Sequence, residues 1–495
     1  METAYLSIDI GTSAAKLSLY APGGRLLAAR AEAYPVDYPR PDWAEQDPSL
    51  WWQAVCRLAP QVIQAAGKVS LAGISVSGQT PLCAPVDSAG SPLRPAILWL
   101  DRRAEPQAAW LREHLGEERC RSVSANRLDS YFGGPKWLWF RQTEPERFKK
   151  TWKILQASSY IILKLTGAAV IDPSQAGLCS PCFNAASGQW DSAICAEMGL
   201  PLNLLPEIRP SWEAAGQVSA AAARACGLPE GTPVVCGGGD FACACLGAGV
   251  TGPERTALML GTAGNLLFPG LPARDPRLLR TIHLTGEPLP FGGVLAGGNL
   301  AWFAGLFGAP QPGLFARLDE EAAAVAPGSE GLLYLPYLMG ERTPIWDPFA
   351  RGAFIGLSAR HSRAHLYRAV LEGVAFAFRQ IAEIASAGGK HTIGPAVAID
   401  GGARSPLWRA ILAAALGLPV AQGSPRSGTG LGSAFLAALG TGGVPSFASI
   451  SAWTETLPFT EPDPDSRRAY DRLYPIYAGL YDRLKPDFHH LAGRE

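Results

Sequence analysis

Two short apolar runs within Tyr5–Tyr20 flank a turn of small polar residues, Gly11 to Ala14, a pattern that predicts a β-hairpin. Gly23-Gly24 then permits a second hairpin into Arg25–Ala33. About half a chain later, Thr256–Phe268 repeats the scheme: apolar run, Gly-Thr, small residues, apolar run. Two such units predict two related domains. Further apolar strands are expected at Leu71–Val76, Val234–Cys236 and Ala396–Ile399. Helical spacing fits Leu50–Gln64, Trp152–Leu165, His365–Ile384, Pro406–Leu416 and Gly432–Leu439, with Arg467–Leu484 as a closing helix. Strands alternating with helices indicate an α/β architecture. Turn-forming residues from Gly247 to Pro253 place the domain junction there, giving an N-terminal domain of 1–246 and a C-terminal domain of 247–495.

Composition narrows the class. At 495 residues, with 47% hydrophobic and 17% charged positions, the chain can bury more than one core. Lys+Arg and Asp+Glu both number 43, so there is no basic excess to hold a polyanion or a membrane surface. No nucleic-acid or membrane partner is therefore expected. The N-terminus carries Glu2 and Asp9 and lacks a basic, then apolar, leader pattern. Apolar windows such as Ala410–Ala421 are broken by Gly417 and Pro419, well short of the ~20 residues that span a bilayer. A cytoplasmic enzyme is the expectation.

All 10 cysteines lie between Cys56 and Cys245, and Cys179-Ser180-Pro181-Cys182 is at best half a zinc site. The histidines contain no HExxH, and His361 and His365 lack a nearby third ligand. Neither set is assigned a metal. The cysteines read as reduced, buried thiols.

Four segments offer chemistry. Asp9 followed by Gly11-Thr12-Ser13 sets a carboxylate at a strand end beside backbone N–H groups suited to phosphate, and the carboxylate can face a hydrated Mg²⁺. Lys16 adds a point charge within reach of a terminal phosphate. Gly261-Thr262-Ala263-Gly264 is the matching turn in the second half. Val234–Gly239 runs an apolar strand into three glycines and then Asp240, a lone carboxylate placed to accept a hydroxyl proton. Asp400-Gly401-Gly402-Ala403-Arg404-Ser405 would let a flat ring approach the backbone, and Ser405 can cap the next helix. Each also reads as an ordinary turn or cap. Gly428-Thr429-Gly430-Leu431-Gly432 superficially matches a dinucleotide fingerprint but lacks a clean preceding strand and the later acidic residue.

Taken in order, these segments resemble the FGGY carbohydrate kinases of the actin/hexokinase/Hsp70 superfamily. So do Trp43–Pro48 with Trp51-Trp52, Ser77-Gly78-Gln79, Arg94–Arg103, Gly134–Trp139, and Gly352–Leu357 followed by His365–Glu372. The resemblance spans almost the whole chain. It implies two RNase H-like domains closing over a cleft that binds ATP and Mg²⁺, with Asp240 as catalytic base and Asp9 as the acid that orients Mg²⁺ and phosphate. Asp240 would share the metal, partly through water. Gly11, Thr12, Ser13, Lys16, Gly261 and Thr262 would face phosphates. Gly298, Gly401, Gly402 and Ser405 would lie on the nucleotide side.

Within the family the pattern is most similar to the xylulokinase branch, which implies D-xylulose as acceptor and Gln79, Thr80, Pro81, Asp101, Asp240 and Phe241 on the sugar side. Two positions depart from that branch. Thr80-Pro81 replaces Met-His, and Phe241 replaces Asn. Both changes remove polar contacts, so another ketose, polyol or sugar acid (ribulose, gluconate, erythritol, glycerol) remains an alternative acceptor. A regulatory protein switched by ATP on the same fold is the non-enzyme alternative. Dimers are common in the family, so a homodimer is among the expected assemblies.

Overall fold

The computed structural model describes residues 1–308, 311–424 and 427–492. It divides into two compact units: Met1–Thr251 with Arg280–Pro288 and Arg426–Glu455, and Gly252–Leu279 with Leu289–Pro425 and Thr456–Glu495. Each unit is thus discontinuous in sequence.

The first unit is built on six strands: β1 (Glu2–Ile10), β2 (Ala14–Tyr20), β3 (Leu26–Ala33), β4 (Val69–Gly78), β5 (Ala214–Gln217) and β6 (Pro233–Gly239). Their order across the sheet is β3-β2-β1-β4-β6-β5. Strand β1 is central, and from Ala4 onward every residue is buried, as a strand covered on both faces requires. Helix Pro48–Ala66 packs Trp51, Val55, Leu58 and Val62 inward and is capped by Asp47, which accepts from Ser49 N–H at 2.8 Å.

Six strands of the second unit's seven-stranded sheet are β7 (Thr256–Leu260), β8 (Ala263–Leu267), β9 (Pro288–Leu295), β10 (Ala396–Ile399), β11 (Val420–Gly423) and β12 (Thr456–Thr460), in the order β9-β8-β7-β10-β11-β12. In both units the senses between neighbours are antiparallel, antiparallel, parallel, parallel, antiparallel. The repeated hairpin in the sequence is therefore the visible part of a duplicated sheet. The long helix Arg363–Ala385 buries 16 residues against the second unit's core.

Two elements differ from the sequence reading. The expected helix over 152–165 begins as a strand, Lys153–Leu155, which pairs antiparallel with Ala84–Val86. Gln156, with φ −92° and ψ 173°, ends that strand, and the helix runs from Ala157 to Thr166. A short apolar run does not distinguish a buried strand from a helix. The closing helix is two helices, Pro464–Ala478 and Leu480–Leu491, because Gly479 leaves the helical ladder at φ −91°, ψ −4°. No helix among the described residues is long and apolar enough to cross a membrane.

Candidate active site

Strand register assembles the first unit's site. Asp9, Ser77 and Gly238 are level on β1, β4 and β6, and Ile10, Gly78 and Gly239 form the next row. Gly11, Gln79 and Asp240 each follow that row by one residue. Three parallel neighbours thus deliver a phosphate-type turn, a polar loop and a lone carboxylate at their carboxyl ends, where open α/β sheets bind ligands. With neighbouring strands ~4.8 Å apart, Ile10 and Gly239 stand about 10 Å from each other. Gly237 makes this alignment feasible. It sits at a register shift with φ 69°, and a Cβ there would lie 1.9 Å from the Val76 carbonyl oxygen.

Asp240 opens the helix Asp240–Gly247, where the helix dipole interacts favourably with negative charge, and its Oδ1 accepts from Phe241 N–H at 2.7 Å. Ser174 Oγ accepts from Gly239 N–H at 2.9 Å, fixing the preceding residue. On its other side the helix meets Thr429–Gly440, a segment from the far half of the sequence that folds into this unit. A Cβ on Gly432 would lie 2.0 Å from the Cys243 carbonyl oxygen, and one on Gly247 would lie 2.1 Å from that of Gly428. Thr429 Oγ1 donates to the Asp240 carbonyl at 3.3 Å. The glycine pattern that mimics a dinucleotide fingerprint is therefore a helix-packing surface. Phe241 is buried, with its ring folded back against Gly239.

The Gly11–Ala14 turn is held by side chains from four other segments. Tyr34 donates to the Gly11 carbonyl at 2.7 Å, Gln46 Nε2 donates to the Thr12 carbonyl at 3.0 Å, and Thr12 Oγ1 donates to Gln79 Oε1 at 3.1 Å while accepting from Trp99 Nε1 at 3.0 Å. The Thr12 hydroxyl proton is already committed to Gln79, so a phosphate oxygen, which can only accept, would meet this residue through its backbone. Ser13 and Lys16 are exposed, and Lys16 pairs with Asp9 across the β1–β2 hairpin. Burial and the negative charge of Asp9 hold the Tyr34 phenol well above its usual range.

The sugar-side candidates are mostly tied inward. Gln79 donates to Gln46 Oε1 at 3.0 Å besides accepting from Thr12. Thr80 Oγ1 donates to Gln156 Oε1 at 3.0 Å, and Pro81 is buried beside it. Asp101 is fully buried: Oδ2 accepts from Ala44 N–H at 2.6 Å, and both oxygens take the Arg103 guanidinium. Arg103 also lies over the Trp43 ring at 3.6 Å, so Trp43–Pro48 and Trp99–Arg103 form one block. Tyr34, Gln156 and Ser174, which the sequence did not single out, and Gln46, noted only as part of the Trp43–Pro48 stretch, bear directly on these groups. Their partners here lie tens of positions away, so no local pattern announces these contacts.

In the second unit, Gly297 N–H donates to the Gly261 carbonyl at 2.8 Å and Gly298 N–H to the Thr262 carbonyl at 3.0 Å, which packs the Gly297–Gly305 helix start onto the second turn. A Cβ on Gly297 would lie 2.7 Å from the Gly261 oxygen. Asp400 adopts φ 71°, turning the chain sharply out of β10. Gly401 would find no atom within 4 Å of a Cβ, so its surface is open to a ligand ring, whereas Gly402 packs against Trp408. Ser405 caps the next helix, accepting from Trp408 N–H at 3.0 Å.

Among the described residues no group of three or more His, Cys, Asp or Glu is gathered as a metal cage. Asp9, steadied by Ser77, and Asp240 supply hard carboxylate oxygens. That donor set suits Mg²⁺, which keeps several waters and typically takes one or two carboxylates plus substrate phosphates.

Residues 4–247 match the N-terminal domain and residues 280–441 the C-terminal domain of the FGGY family of carbohydrate kinases. The chain is 32% identical over 491 residues to a xylulose kinase of Bacillus subtilis, covering 97% of each, and 28% identical over 515 residues to a gluconokinase of the same organism, covering 99% of this chain and 98% of that one. The crystal structure of a xylulose kinase from Rhodospirillum rubrum superposes with a TM-score of 0.89 at 33% identity, covering 98% of this chain and 100% of that one. The duplicated sheet, the paired turns and these full-length likenesses agree: the chain belongs to the FGGY family of carbohydrate kinases.

Proposed function

We propose that this carbohydrate kinase transfers the γ-phosphate of ATP to a hydroxyl of D-xylulose, giving D-xylulose 5-phosphate and ADP, with Asp240 as general base. The observation that carries this reading is the strand-end row, which sets the Asp240 carboxylate two strand spacings from the Gly11–Thr12 turn. The full-length likeness to xylulose kinases supports the choice of acceptor.

In the reaction, Asp240 accepts the proton of the acceptor hydroxyl as its oxygen bonds to the γ-phosphorus. The bond from that phosphorus to the bridging oxygen breaks, and ADP leaves with the electron pair. Phosphoryl transfer asks chiefly for alignment and charge neutralisation, which the backbone N–H groups of the Gly11 and Gly261 turns and Lys16 would provide. Asp9 and Asp240, partly through water, would hold Mg²⁺, which supplies further neutralisation of phosphate charge. Residues 1–246 would carry the acceptor, the first phosphate turn and the base. Residues 247–495 would carry the second phosphate turn and, at Gly298, Gly401, Gly402 and Ser405, the nucleoside side.

A sugar acid such as gluconate is the second reading. It is supported by the full-length likeness to a gluconokinase, and the inward commitment of Gln79 and Asp101 together with Thr80-Pro81 removes groups that would single out xylulose. An ADP-release assay with Mg-ATP over D-xylulose, L-xylulose, D-ribulose, gluconate, glycerol and erythritol separates the two. D-Xylulose should give the highest kcat/KM. Higher turnover on another member moves the substrate and leaves the base in place.

A further inference from the structure

We propose that Gln46 is a positioning residue for phosphoryl transfer, aiming the backbone donors of the first phosphate turn and tying them to the sugar-side loop. The inference rests on the kinase reading above. Gln46 is buried, and its amide uses both donors and both acceptor lone pairs. Nε2 donates to the carbonyls of Thr12 at 3.0 Å and Pro35 at 2.9 Å, and Oε1 accepts from Trp51 Nε1 at 2.7 Å and Gln79 Nε2 at 3.0 Å. This pattern also fixes which end of the amide is nitrogen, since Trp51 can only donate and the carbonyls can only accept.

The consequence follows from the planar trans peptide, in which C=O and N–H point to opposite sides. By holding the Thr12 carbonyl, Gln46 orients the Thr12–Ser13 peptide and so directs the Ser13 N–H away from itself. Tyr34 does the same for the Gly11–Thr12 peptide, and hence for the Thr12 N–H, by donating to the Gly11 carbonyl at 2.7 Å. Gln79 joins the two arms: it donates to Gln46 Oε1, accepts from the Thr12 hydroxyl, and stands at the end of the strand beside the base. One buried amide therefore links the residue that opens the sugar loop to the turn that would face the phosphates. Neither Gln46 nor Tyr34 need touch a substrate.

The test compares Gln46→Met, Gln46→Glu, Tyr34→Phe and Trp51→Phe with wild type by kcat, separate KM values for ATP and sugar, and thermal midpoint. Gln46→Glu keeps the side-chain size and an oxygen that can accept from Trp51 and Gln79, but replaces the donation to Thr12 and Pro35 with an oxygen facing their carbonyls, so it addresses the turn if Gln46→Met folds poorly. Misplacement by ~1 Å can cost on the order of 10²-fold in rate. Both Gln46 variants should lose about 10- to 100-fold in kcat well below their melting midpoints, with the sugar KM within about threefold of wild type. Tyr34→Phe should fall in the same direction. Trp51→Phe, which breaks a bond on the side remote from the turn, should lower the midpoint with kcat within about threefold. Retention of kcat in Gln46→Glu, or kcat losses in all four variants that track only their midpoints, overturns the inference while the kinase stands. No sugar-dependent ADP release from wild type overturns the functional reading, and this inference with it.

Discussion

Asp9 and Ser77 lie opposite one another in the register of β1 and β4, and the Ser77 hydroxyl donates to Asp9 Oδ1 at 3.0 Å. Asp9 is only 7% exposed, and this bond helps to set the direction of its carboxylate. A hydrogen bond to a charged group contributes ~1.5–3 kcal/mol. Ser77→Ala should therefore raise the Mg²⁺ concentration for half-maximal activity roughly 10-fold, read from a metal titration at saturating sugar. An unchanged titration would detach Asp9 from the metal.

Asp240→Asn keeps the shape of the side chain and the oxygen that accepts from Phe241 N–H, so the helix start should survive. What disappears is the proton acceptor. Loss of a general base typically costs ~10²–10⁴ in rate. The variant should fold with an unaltered circular dichroism spectrum and lose at least about 100-fold in kcat. Retention of more than about a tenth of wild-type turnover would remove Asp240 from the role.

The hairpins, the glycine turns and the duplicated plan were legible in the sequence because each is local. A turn needs its glycine within a few residues, and an apolar strand declares itself over five or six. Gln46, Gln156 and Tyr34 were not legible in this sense. An amide that bridges Thr12, Pro35, Trp51 and Gln79 has no periodicity, and its meaning exists only once four segments converge. The same holds for Gly432. Its spacing from Gly428 only superficially matches a dinucleotide fingerprint, and the reason for the missing side chain is the Cys243 carbonyl of another helix. At Gln79 and Asp101, whose residue types fit hydroxyl recognition, the structure adds hydrogen bonds into the fold that the sequence did not show.

Gly432 and Gly247 give a prediction about the base at a distance. A methyl group on Gly432 must displace a backbone carbonyl of the Asp240–Gly247 helix, because the gap is 2.0 Å. Overpacking of this kind costs ~1–3 kcal/mol. Gly432→Ala should lower the urea midpoint and also reduce kcat, since the helix that must shift carries Asp240 at its first position. Loss of stability with kcat intact would show that the strain is absorbed by the Thr429–Gly440 helix instead.

His283 makes stability pH-dependent. Burial lowers its pKa from 6.5 to about 3, so the imidazole is neutral in the fold while the unfolded chain binds a proton below pH 6.5. Stability contributed by the neutral ring is complete above 6.5 and is lost as pH falls toward 3, at ~1.4 kcal/mol per pH unit. Urea melts of wild type should weaken by about 2 kcal/mol between pH 6.5 and 5 through this group. His283→Gln should be less stable at pH 7 but show a shallower decline. Parallel declines in the two proteins would assign the acid sensitivity elsewhere.

Gln156 gives the complementary separation on the sugar side. Its Oε1 accepts from Thr80 Oγ1 at 3.0 Å and from Leu82 N–H at 2.8 Å, and its Nε2 donates to the Leu82 carbonyl at 3.1 Å. This fully buried side chain therefore clamps the loop carrying Thr80-Pro81. Gln156→Leu nearly preserves volume but leaves Thr80 Oγ1 and Leu82 N–H without this partner, each costing ~1–3 kcal/mol unless the loop moves to solvent, while the Leu82 carbonyl keeps Trp137 Nε1. The loop should move. The sugar KM should then rise by about 10-fold or more with the ATP KM within about twofold, in contrast to Gln46→Met, where kcat falls and the sugar KM stays within about threefold. Equal rises in both KM values would mean that loop and turn shift as one body, and that the bond from Gln79 to Gln46 transmits more than local order.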